Sequence, residues 1–271
     1  MILNLSSVAA GHDTPNGASG TIEDMHHASA PVSPEKSSMI KEDHRKRVAR
    51  ERRERMEAHL LRSVLKVFHE RPSTDRIVIE DVITHANVSR GTFYQYFPSL
   101  NDAIAQLAGT ITEDMLSSVL TVYDSLADPK MRTACGFQMY LLRACMDKGW
   151  GAFMMHIGLL QVDNAMLTKI IDDIALGVGT GDYDVSSIAV AAELLLGAKT
   201  QAIGRIISGQ ADLSYVHALT EQLLMSFGVN RSQARSSVSD AYDYIVREAP
   251  GNIPWWRNDE VSFGRDTTAV R

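Results

Sequence analysis

The residues from Ser89 to Tyr96 carry side chains suited to hydrogen bonding with nucleic acid. They are Ser89, Arg90, Thr92, Tyr94, Gln95 and Tyr96, and Gly91 lies between Arg90 and Thr92 with only its backbone N–H to offer. Arg90 and Gln95 can each form two hydrogen bonds with one base edge, and Ser89 is a favourable helix N-cap. A helix that begins after such a cap offers free N–H groups and a positive end to a phosphate. The run therefore predicts a short helix that presents its first turn and one face to duplex DNA.

A preceding helix is needed to hold that run in place. Residues 79–86 have apolar side chains at 79, 82, 83 and 86, which is helical spacing. Asn87 tolerates the left-handed conformation that closes a helix, and Val88 can fill the gap between the two helices. Phe93 and Phe97, four residues apart, predict the buried stripe of the second helix. The pattern is that of a helix-turn-helix, whose second helix lies in a DNA groove.

Residues 79–103 resemble the DNA-binding signature of the tetracycline-repressor (TetR) family of transcriptional regulators. The resemblance rests on an apolar and acidic helix, a tight turn, and an aromatic-rich end at Tyr94-Gln95-Tyr96-Phe97. Ser99, with Asp102 three residues later, then caps a new helix. The similarity extends over residues 45–101; beyond them the chain resembles the family only in its helical layout and length.

The resemblance implies an all-α protein with an N-terminal three-helix helix-turn-helix head and a helical ligand-binding and dimerisation body. It further implies a cytoplasmic homodimer that binds a pseudo-palindromic operator in duplex DNA. A repressor released from DNA by a small, partly apolar effector is the family expectation. In this family the last two helices pack with those of the partner, which points here to residues 185–228.

Three positions depart from the family pattern. Val78 stands where a threonine usually caps the second helix and touches a phosphate, and Leu100 stands where a lysine usually reaches a phosphate. Asn87 replaces a glycine, which is a mild change because asparagine also adopts the left-handed conformation. The loss of two phosphate anchors leaves open a helical ligand-binding or adaptor protein with weakened DNA binding.

A basic segment precedes the head. Residues 41–55 hold eight Lys and Arg against four Asp and Glu. Arg45, Lys46 and Arg47 are the candidates for contact with the DNA backbone, and each neutralised phosphate steepens the salt dependence of binding. The alternative is a solvated helix start held by i,i+4 ion pairs such as Glu51–Arg55.

The charge of the chain is unevenly distributed. The whole chain has a net charge of −6, with −3 in residues 1–40, +4 in residues 41–100 and −7 in residues 101–271. A basic segment on an acidic protein orients that segment toward DNA. The overall acidity therefore does not exclude a DNA-binding protein.

The sequence predicts four regions. They are a disordered extension (residues 1–43), a helix-turn-helix domain (44–101), a helical effector-binding and dimerisation domain (102–230), and an extra C-terminal helix with a tail (231–271). Helices are predicted near 45–70, 99–127, 130–147, 151–160, 164–176, 185–207, 211–228 and 232–247. Glycines predict an interruption at 149–151 and a loop at 177–182. The pair Trp255-Trp256 is expected to dock on the body or on a partner subunit.

An effector pocket is expected between residues 137 and 167, where aromatic residues and methionines are concentrated. The candidate lining residues are Phe137, Tyr140, Trp150, Phe153, Met154 and His156. Flexible methionines among aromatic rings suit an adaptable apolar pocket, but they suit an ordinary helical core equally well. His156 could orient a polar group of the ligand or could be a core histidine.

Other classes of function have little support in the sequence. There is no catalytic motif, no metal-ligand spacing and no cofactor motif, so neither an enzyme nor a metal site is predicted. Asp172-Asp173 has the pattern of a solvated helix end, and Cys135 and Cys145 of reduced core residues. No apolar run approaches the ~18 residues that a membrane span needs, and residues 1–5 do not resemble a secretory signal.

Overall fold

The computed structural model describes residues 34–70, 77–158 and 165–257, with side chains from residue 44 onward. Its contacts divide the chain into two compact units, Met1–Arg62 and Ser63–Arg271. All regular secondary structure in the described ranges is helical, which confirms the predicted all-α class. The helices are α1 (Pro34–Glu70), α2 (Ile79–Ala86), α3 (Arg90–Tyr94), α4 (Leu100–Tyr123), α5 (Pro129–Met146), α6 (Lys148–Gly158), α7 (Ala165–Thr180), α8 (Ile188–Ile207), α9 (Leu213–Ser226) and α10 (Arg231–Glu248).

Helix α1 begins earlier than the sequence predicted. It starts at Pro34, so residues 34–43, which were expected to be disordered, are helical. Proline is favoured in the first turn of a helix, and the residues that follow it are mostly good helix formers. The rest of the predicted disordered extension, residues 1–33, lies outside the described part of the chain.

Helix α5 is the centre of the larger unit. It contacts α4, α6, α7, α8, α9 and α10, so nearly all of its surface is covered. Its buried apolar residues include Phe137, Met139 and Leu141. The side chain of Gln138, also buried, donates a hydrogen bond of 3.1 Å from Nε2 to the carbonyl of Val238 in α10. The extra C-terminal helix is thereby attached to the core.

The predicted interruption at residues 149–151 is wrong, because these residues lie inside α6. Their glycines serve close packing. A Cβ atom on Gly149 would overlap the His69 ring of α1, and one on Gly151 would lie 2.7 Å from Cγ2 of Ile207. Two neighbouring helices therefore approach the α6 backbone at these positions.

The predicted loop at residues 177–182 is also mostly helix. Helix α7 continues to Thr180, and the chain turns at Gly181, whose φ of 78° favours glycine. Gly177 is required by packing, because a Cβ atom there would overlap the ring of Tyr183. That ring is anchored at its other end, where the hydroxyl donates a 2.9 Å hydrogen bond to the carbonyl of Pro129.

The tail after α10 docks on the body, as its tryptophan pair predicts. Nε1 of Trp255 donates a hydrogen bond of 3.0 Å to Oγ of Ser118 in α4. The guanidinium of Arg143 lies 4.8 Å from the centre of the Trp150 ring and 5.0 Å from that of Trp255. Arg143 also pairs with Asp114 at 2.7 Å, so the tail covers a partly buried ion pair.

Of the helices in the described ranges, none combines the length and the apolar character that crossing a bilayer would need.

Candidate nucleic-acid interface and body cavity

The turn between α2 and α3 is built by hydrogen bonds that the sequence specifies locally. Asn87 has φ 53° and ψ 48°, the left-handed conformation expected of it. Its N–H donates to the carbonyl of Thr84 at 3.2 Å, and the N–H of Val88 donates to that of Ile83 at 3.1 Å. These bonds satisfy the last carbonyls of α2 and set the direction in which the chain enters α3.

Ser89 caps α3 as predicted. Its Oγ accepts a hydrogen bond of 3.0 Å from the backbone N–H of Thr92, and it lies 2.8 Å from the Thr92 hydroxyl. The Thr92 side chain, expected to face DNA, is therefore half-buried against the cap. Gly91 is exposed, and a Cβ atom there would make only an ordinary contact of 3.7 Å with Ser89. Packing within the protein does not explain the glycine.

The two faces of α3 differ as the predicted stripe requires. Phe93 and Phe97 are 0% and 2% exposed, with ring centres 5.6 Å apart. Tyr94 is 47% exposed, and Gln95 is also exposed. Tyr96 is half-buried. Helix α3 and the turn that follows it are thus anchored by Phe93 and Phe97, and they leave a polar and aromatic face in solvent.

Arg90 is engaged within the helix-turn-helix. Its Nη1 lies 2.9 Å from Oε1 of Glu80 in α2, with both side chains more than half exposed. A hydrogen bond to the Tyr94 hydroxyl, together with the Glu80 carboxylate, raises the pKa of Arg90 above its ordinary value. The side chain is therefore held against its own protein while it remains accessible to solvent.

Val78 at the start of α2 offers no side-chain cap, and its side chain is 43% exposed. Half of a capping box is nevertheless present, because Oδ2 of Asp81 accepts a hydrogen bond of 3.0 Å from the Val78 N–H. The start of α2 thus does not need the family's threonine for its stability. What valine cannot replace is a hydroxyl contact with a phosphate.

The basic residues of α1 are exposed along the first unit. Arg45, Lys46 and Arg47 all face solvent. Arg47 donates a hydrogen bond of 3.1 Å to Nδ1 of His44 and lies 3.9 Å from Glu51. Some of the i,i+4 pairing expected of a solvated helix is therefore present on this segment.

A cavity of about 30 Å³ lies among α4, α5, α7 and α8. Its lining is mainly apolar, with a few polar side chains. The lining residues are Val119, Tyr123, Arg132, Thr133, Gly136, Phe137, Tyr140, Met166, Ile170, Asp173, Ile174, Leu195 and Lys199. The volume is enough for one or two water molecules.

Asp173 is the centre of a buried polar network at this cavity, not a solvated helix end. It is 7% exposed. Its Oδ1 accepts hydrogen bonds from Nε of Arg132 at 2.9 Å and Nζ of Lys169 at 3.1 Å. Its Oδ2 accepts one of 2.8 Å from the Tyr123 hydroxyl. Burial and the negative charge of Asp173 both raise the pKa of Tyr123.

Lys199 lies on the α8 side of the cavity. Its Nζ lies 4.6 Å from the centre of the Tyr140 ring. Within the described part of the chain no hydrogen bond or ion pair reaches this ammonium group. Burial lowers the pKa of Lys199 to about 8. The sequence did carry a signal for this residue, since few charged side chains interrupt the apolar run of residues 185–207.

Of the six residues that the sequence proposed for the pocket, two line the cavity and four lie elsewhere. Phe137 and Tyr140 line the cavity. Trp150 and Phe153 are fully buried in the core outside its lining, and Met154 is half-buried. His156 is exposed and lies against Phe68 of α1, with ring centres 4.8 Å apart. Sequence analysis did not anticipate Tyr123, Arg132, Asp173 and Lys199 as lining residues.

The remaining candidate sites are inert. Both cysteines are unpaired, and burial raises the pKa of Cys135 to about 12 and that of Cys145 to about 11, as suits reduced core residues. Among the residues that the structure describes, no group of three His, Cys, Asp or Glu side chains is placed to hold a metal ion.

Comparison with known proteins identifies the fold. No family model and no curated protein matches the sequence. The structure of RolR in complex with the ligand resorcinol is 22% identical, covers 70% of this chain and 95% of its own, and has a TM-score of 0.54. RolR without ligand is 22% identical over 67% and 96%, with a TM-score of 0.49. A TetR-family transcriptional regulator from Pectobacterium atrosepticum is 20% identical over 66% and 93%, with a TM-score of 0.46. From its likeness to the resorcinol complex, the chain has the all-α fold of RolR.

Proposed function

We propose that this protein is a sequence-specific DNA-binding transcriptional regulator of the TetR family. The observation that carries the proposal is the arrangement of α2 and α3. The left-handed Asn87, the Ser89 cap and the buried Phe93 and Phe97 direct one polar face of α3 outward. Such a helix has the right geometry for the major groove. The fold shared with RolR supports the same assignment.

The DNA contacts follow from that face. Arg90 and Gln95 would reach base edges, with Arg90 suited to guanine and Gln95 to adenine. Ser89, Gly91, Thr92, Tyr94 and Tyr96 would contact phosphates or support those that do. Gly91 fits this role because packing within the protein leaves it open, and a missing side chain lets a DNA backbone come close. Arg45, Lys46 and Arg47 would add phosphate contacts from α1.

The proposed domains keep the bounds that the sequence predicts. Residues 44–101 would form the DNA-binding domain, 102–230 the effector-binding and dimerisation domain, and 231–271 an added helix and tail. The homodimer would form through residues 185–228. Val190 and Leu194 support this, because they lie four residues apart on α8 and are 59% and 50% exposed. A dimer can read both halves of a pseudo-palindromic operator in the cytoplasm.

The family expectation is a repressor without catalytic activity, which a small, partly apolar effector would release from its operator. RolR was solved with resorcinol, a small ring compound, and the cavity among α4, α5, α7 and α8 is the corresponding candidate site here. An effector acts only through its preference for one of two conformations of the protein. Binding at the junction of four helices could provide that preference.

The test is selection of bound fragments from genomic DNA of the source organism at physiological salt. A recovered pseudo-palindromic sequence whose binding is steeply salt-dependent supports the regulator. Resorcinol is then the first compound to add, with release of the fragment as the readout. The Arg90→Ala variant tests whether Arg90 contacts a base or a phosphate. Selective loss at one base position supports base contact, whereas equal weakening on all sequences makes Arg90 a phosphate contact.

A helical ligand-binding or adaptor protein is the second candidate. Val78 and Leu100 lack the phosphate anchors of the family, and Glu80 engages Arg90. If no fragment is recovered with or without added ligands, this candidate replaces the regulator.

A further inference from the structure

The charges around the body cavity do not balance. Arg132 and Lys169 share the single carboxylate of Asp173. Lys199, across the cavity, has no carboxylate partner within the described part of the chain, and its Nζ lies against the Tyr140 ring. Lys199 is half-buried, and an ammonium in such a place without an anionic partner is unfavourable, which agrees with its lowered pKa. The region therefore carries an excess of positive charge that an anion would neutralise.

The other walls of the cavity are apolar. Phe137 and Tyr140 contribute aromatic rings from α5, and Met166, Ile174 and Leu195 contribute aliphatic surface from α7 and α8. Pockets of this kind bind ligands through apolar burial, with a few polar groups fixing the orientation. A ligand that matches both features has an apolar body and one negative charge.

We propose that this cavity binds a small aromatic monoanion, whose negative group pairs with Lys199 while its ring packs against Tyr140 and Phe137. The inference deepens the effector part of the proposed function and rests on it for any regulatory meaning. Neither the sequence pattern nor the likeness to RolR specifies the charge of the ligand. It follows from the unpaired ammonium and the aromatic wall beside it.

The cavity must open to admit a ring. An apolar cavity that holds benzene in another protein has a volume of ~150 Å³, several times that found here. Helix α7 supplies Met166, Ile170, Asp173 and Ile174, so it forms one complete wall. Methionine adapts readily to new shapes. Entry of the ligand would therefore displace α7 and the Asp173 network that it carries, which provides a conformational response to binding.

The first test is calorimetric titration of the full chain with benzoate and with its neutral counterpart benzamide, in the absence of DNA. Benzoate is expected to bind at least about tenfold more tightly, as for a charge-assisted contact. Lys199→Met should remove that preference by weakening benzoate about tenfold while leaving benzamide unchanged. Lys66→Met is the matched control, since Lys66 is exposed on α1, and it should alter neither affinity.

The pH dependence gives a second readout. An anion pairs with protonated Lys199, so benzoate affinity should fall as pH rises above about 8 and should level off about tenfold lower, at the affinity of Lys199→Met. The other titratable or charged side chains that line the cavity are Tyr123, Arg132, Tyr140 and Asp173. Burial raises the pKa of both tyrosines, so they stay neutral in this range. Benzamide binding should show no such fall.

Folding of the variant is checked independently. Lys199→Met removes a half-buried cation that has no carboxylate partner within the described part of the chain, and it should raise the Tm of the ligand-free protein. Equal binding of benzoate and benzamide, full benzoate affinity in Lys199→Met, or benzoate binding weaker than a Kd of about 1 mM would each overturn the proposal. Since the titration contains no DNA, these outcomes are independent of whether the protein binds an operator.

Discussion

At the scale of single residues, Arg90 is proposed to contact DNA and is already held by other side chains of the protein. Glu80 and Tyr94 both bind its guanidinium in the free protein. Such contacts reduce the number of conformations that Arg90 must give up on binding DNA. In a complex with DNA, the Glu80 carboxylate would compete with bases and phosphates for the donors of Arg90, so this ion pair would oppose the proposed DNA binding.

We therefore expect Glu80→Gln to strengthen DNA binding by about two- to fivefold, because exposed ion pairs have small interaction energies. The substitution also removes a negative charge close to the DNA phosphates. Fluorescence anisotropy with the selected operator, measured at several salt concentrations, would detect the change. Glu113→Gln, an equal charge change at an exposed position of α4, is the control. Weaker binding by Glu80→Gln would show instead that Glu80 orients Arg90 productively.

Asp172 and Asp173 are neighbours in sequence, one exposed and one buried, so their substitutions can be compared directly. Asp173→Asn leaves Arg132 and Lys169 without the carboxylate that they share, so we expect unfolding to become easier by about 3–5 kcal/mol. Asp172→Asn changes an exposed neighbour and should stay within about 0.5 kcal/mol of the original protein. Urea unfolding followed by circular dichroism measures both. Similar values for the two variants would mean that the network adds no stability.

At the scale of elements, local sequence was sufficient for α2 and α3. Periodicity set the limits of α2, and the conformational tolerance of Asn87 and the capping ability of Ser89 set the turn. The breaks predicted at two glycines were wrong, because the role of these glycines depends on distant parts of the chain. Gly149 and Gly177 were taken as breaks, but each makes room for a side chain from another element, His69 and Tyr183 respectively. A single sequence does not reveal such contacts.

The cavity was predicted only in part for the same physical reason. Aromatic character identified Phe137 and Tyr140, which lie on one helix. Asp173 looked solvated because its partner Arg132 is 41 positions away in sequence. Lys199 became informative only when α8 was placed against α5. Side chains whose environment is made by distant elements need the tertiary structure for their interpretation.

Helix α8 carries a prediction about assembly. We expect Leu194→Asp to convert the proposed dimer to a monomer, because a charge at an apolar contact is costly to bury. Ile171→Asp on α7, where Ile171 is also exposed, is the matched control and should leave the dimer intact. Analytical ultracentrifugation distinguishes the two states. Dissociation by Ile171→Asp alone would move the interface to α7.

At the scale of the whole molecule, the last turn of α1 contacts elements on two sides. Glu70 lies 3.5 Å from Nε2 of His85 in α2. Phe68 lies against Phe153 of α6, with ring centres 5.1 Å apart, and His69 covers Gly149. A movement of α6 could therefore be transmitted to α2 through these side chains of α1. Contacts of this kind are one route by which the two proposed sites could be coupled, and the strength of the coupling has to be measured.

Gly149→Ala tests that coupling, since the added methyl group must displace His69. We expect ligand affinity to remain within about threefold, while the effect of ligand on operator affinity falls by about tenfold, within the usual range of coupling. Operator binding is measured with and without saturating ligand. Gly109→Ala in α4 is the control, because a Cβ atom there meets nothing within 4 Å. Unchanged coupling in Gly149→Ala would show that the contact between His69 and Gly149 does not carry the effect of the ligand to the operator-binding helices.

The docked tail gives the protein a built-in optical reporter. The chain has three tryptophans. Trp150 and Trp255 lie on Arg143, and the Trp256 ring is 6.0 Å from that of Trp255, so all the indole emission comes from one neighbourhood. The Trp150 ring is also 6.0 Å from Tyr140, a wall of the cavity. Intrinsic fluorescence should therefore change when the cavity fills, and occupancy can be followed without any label.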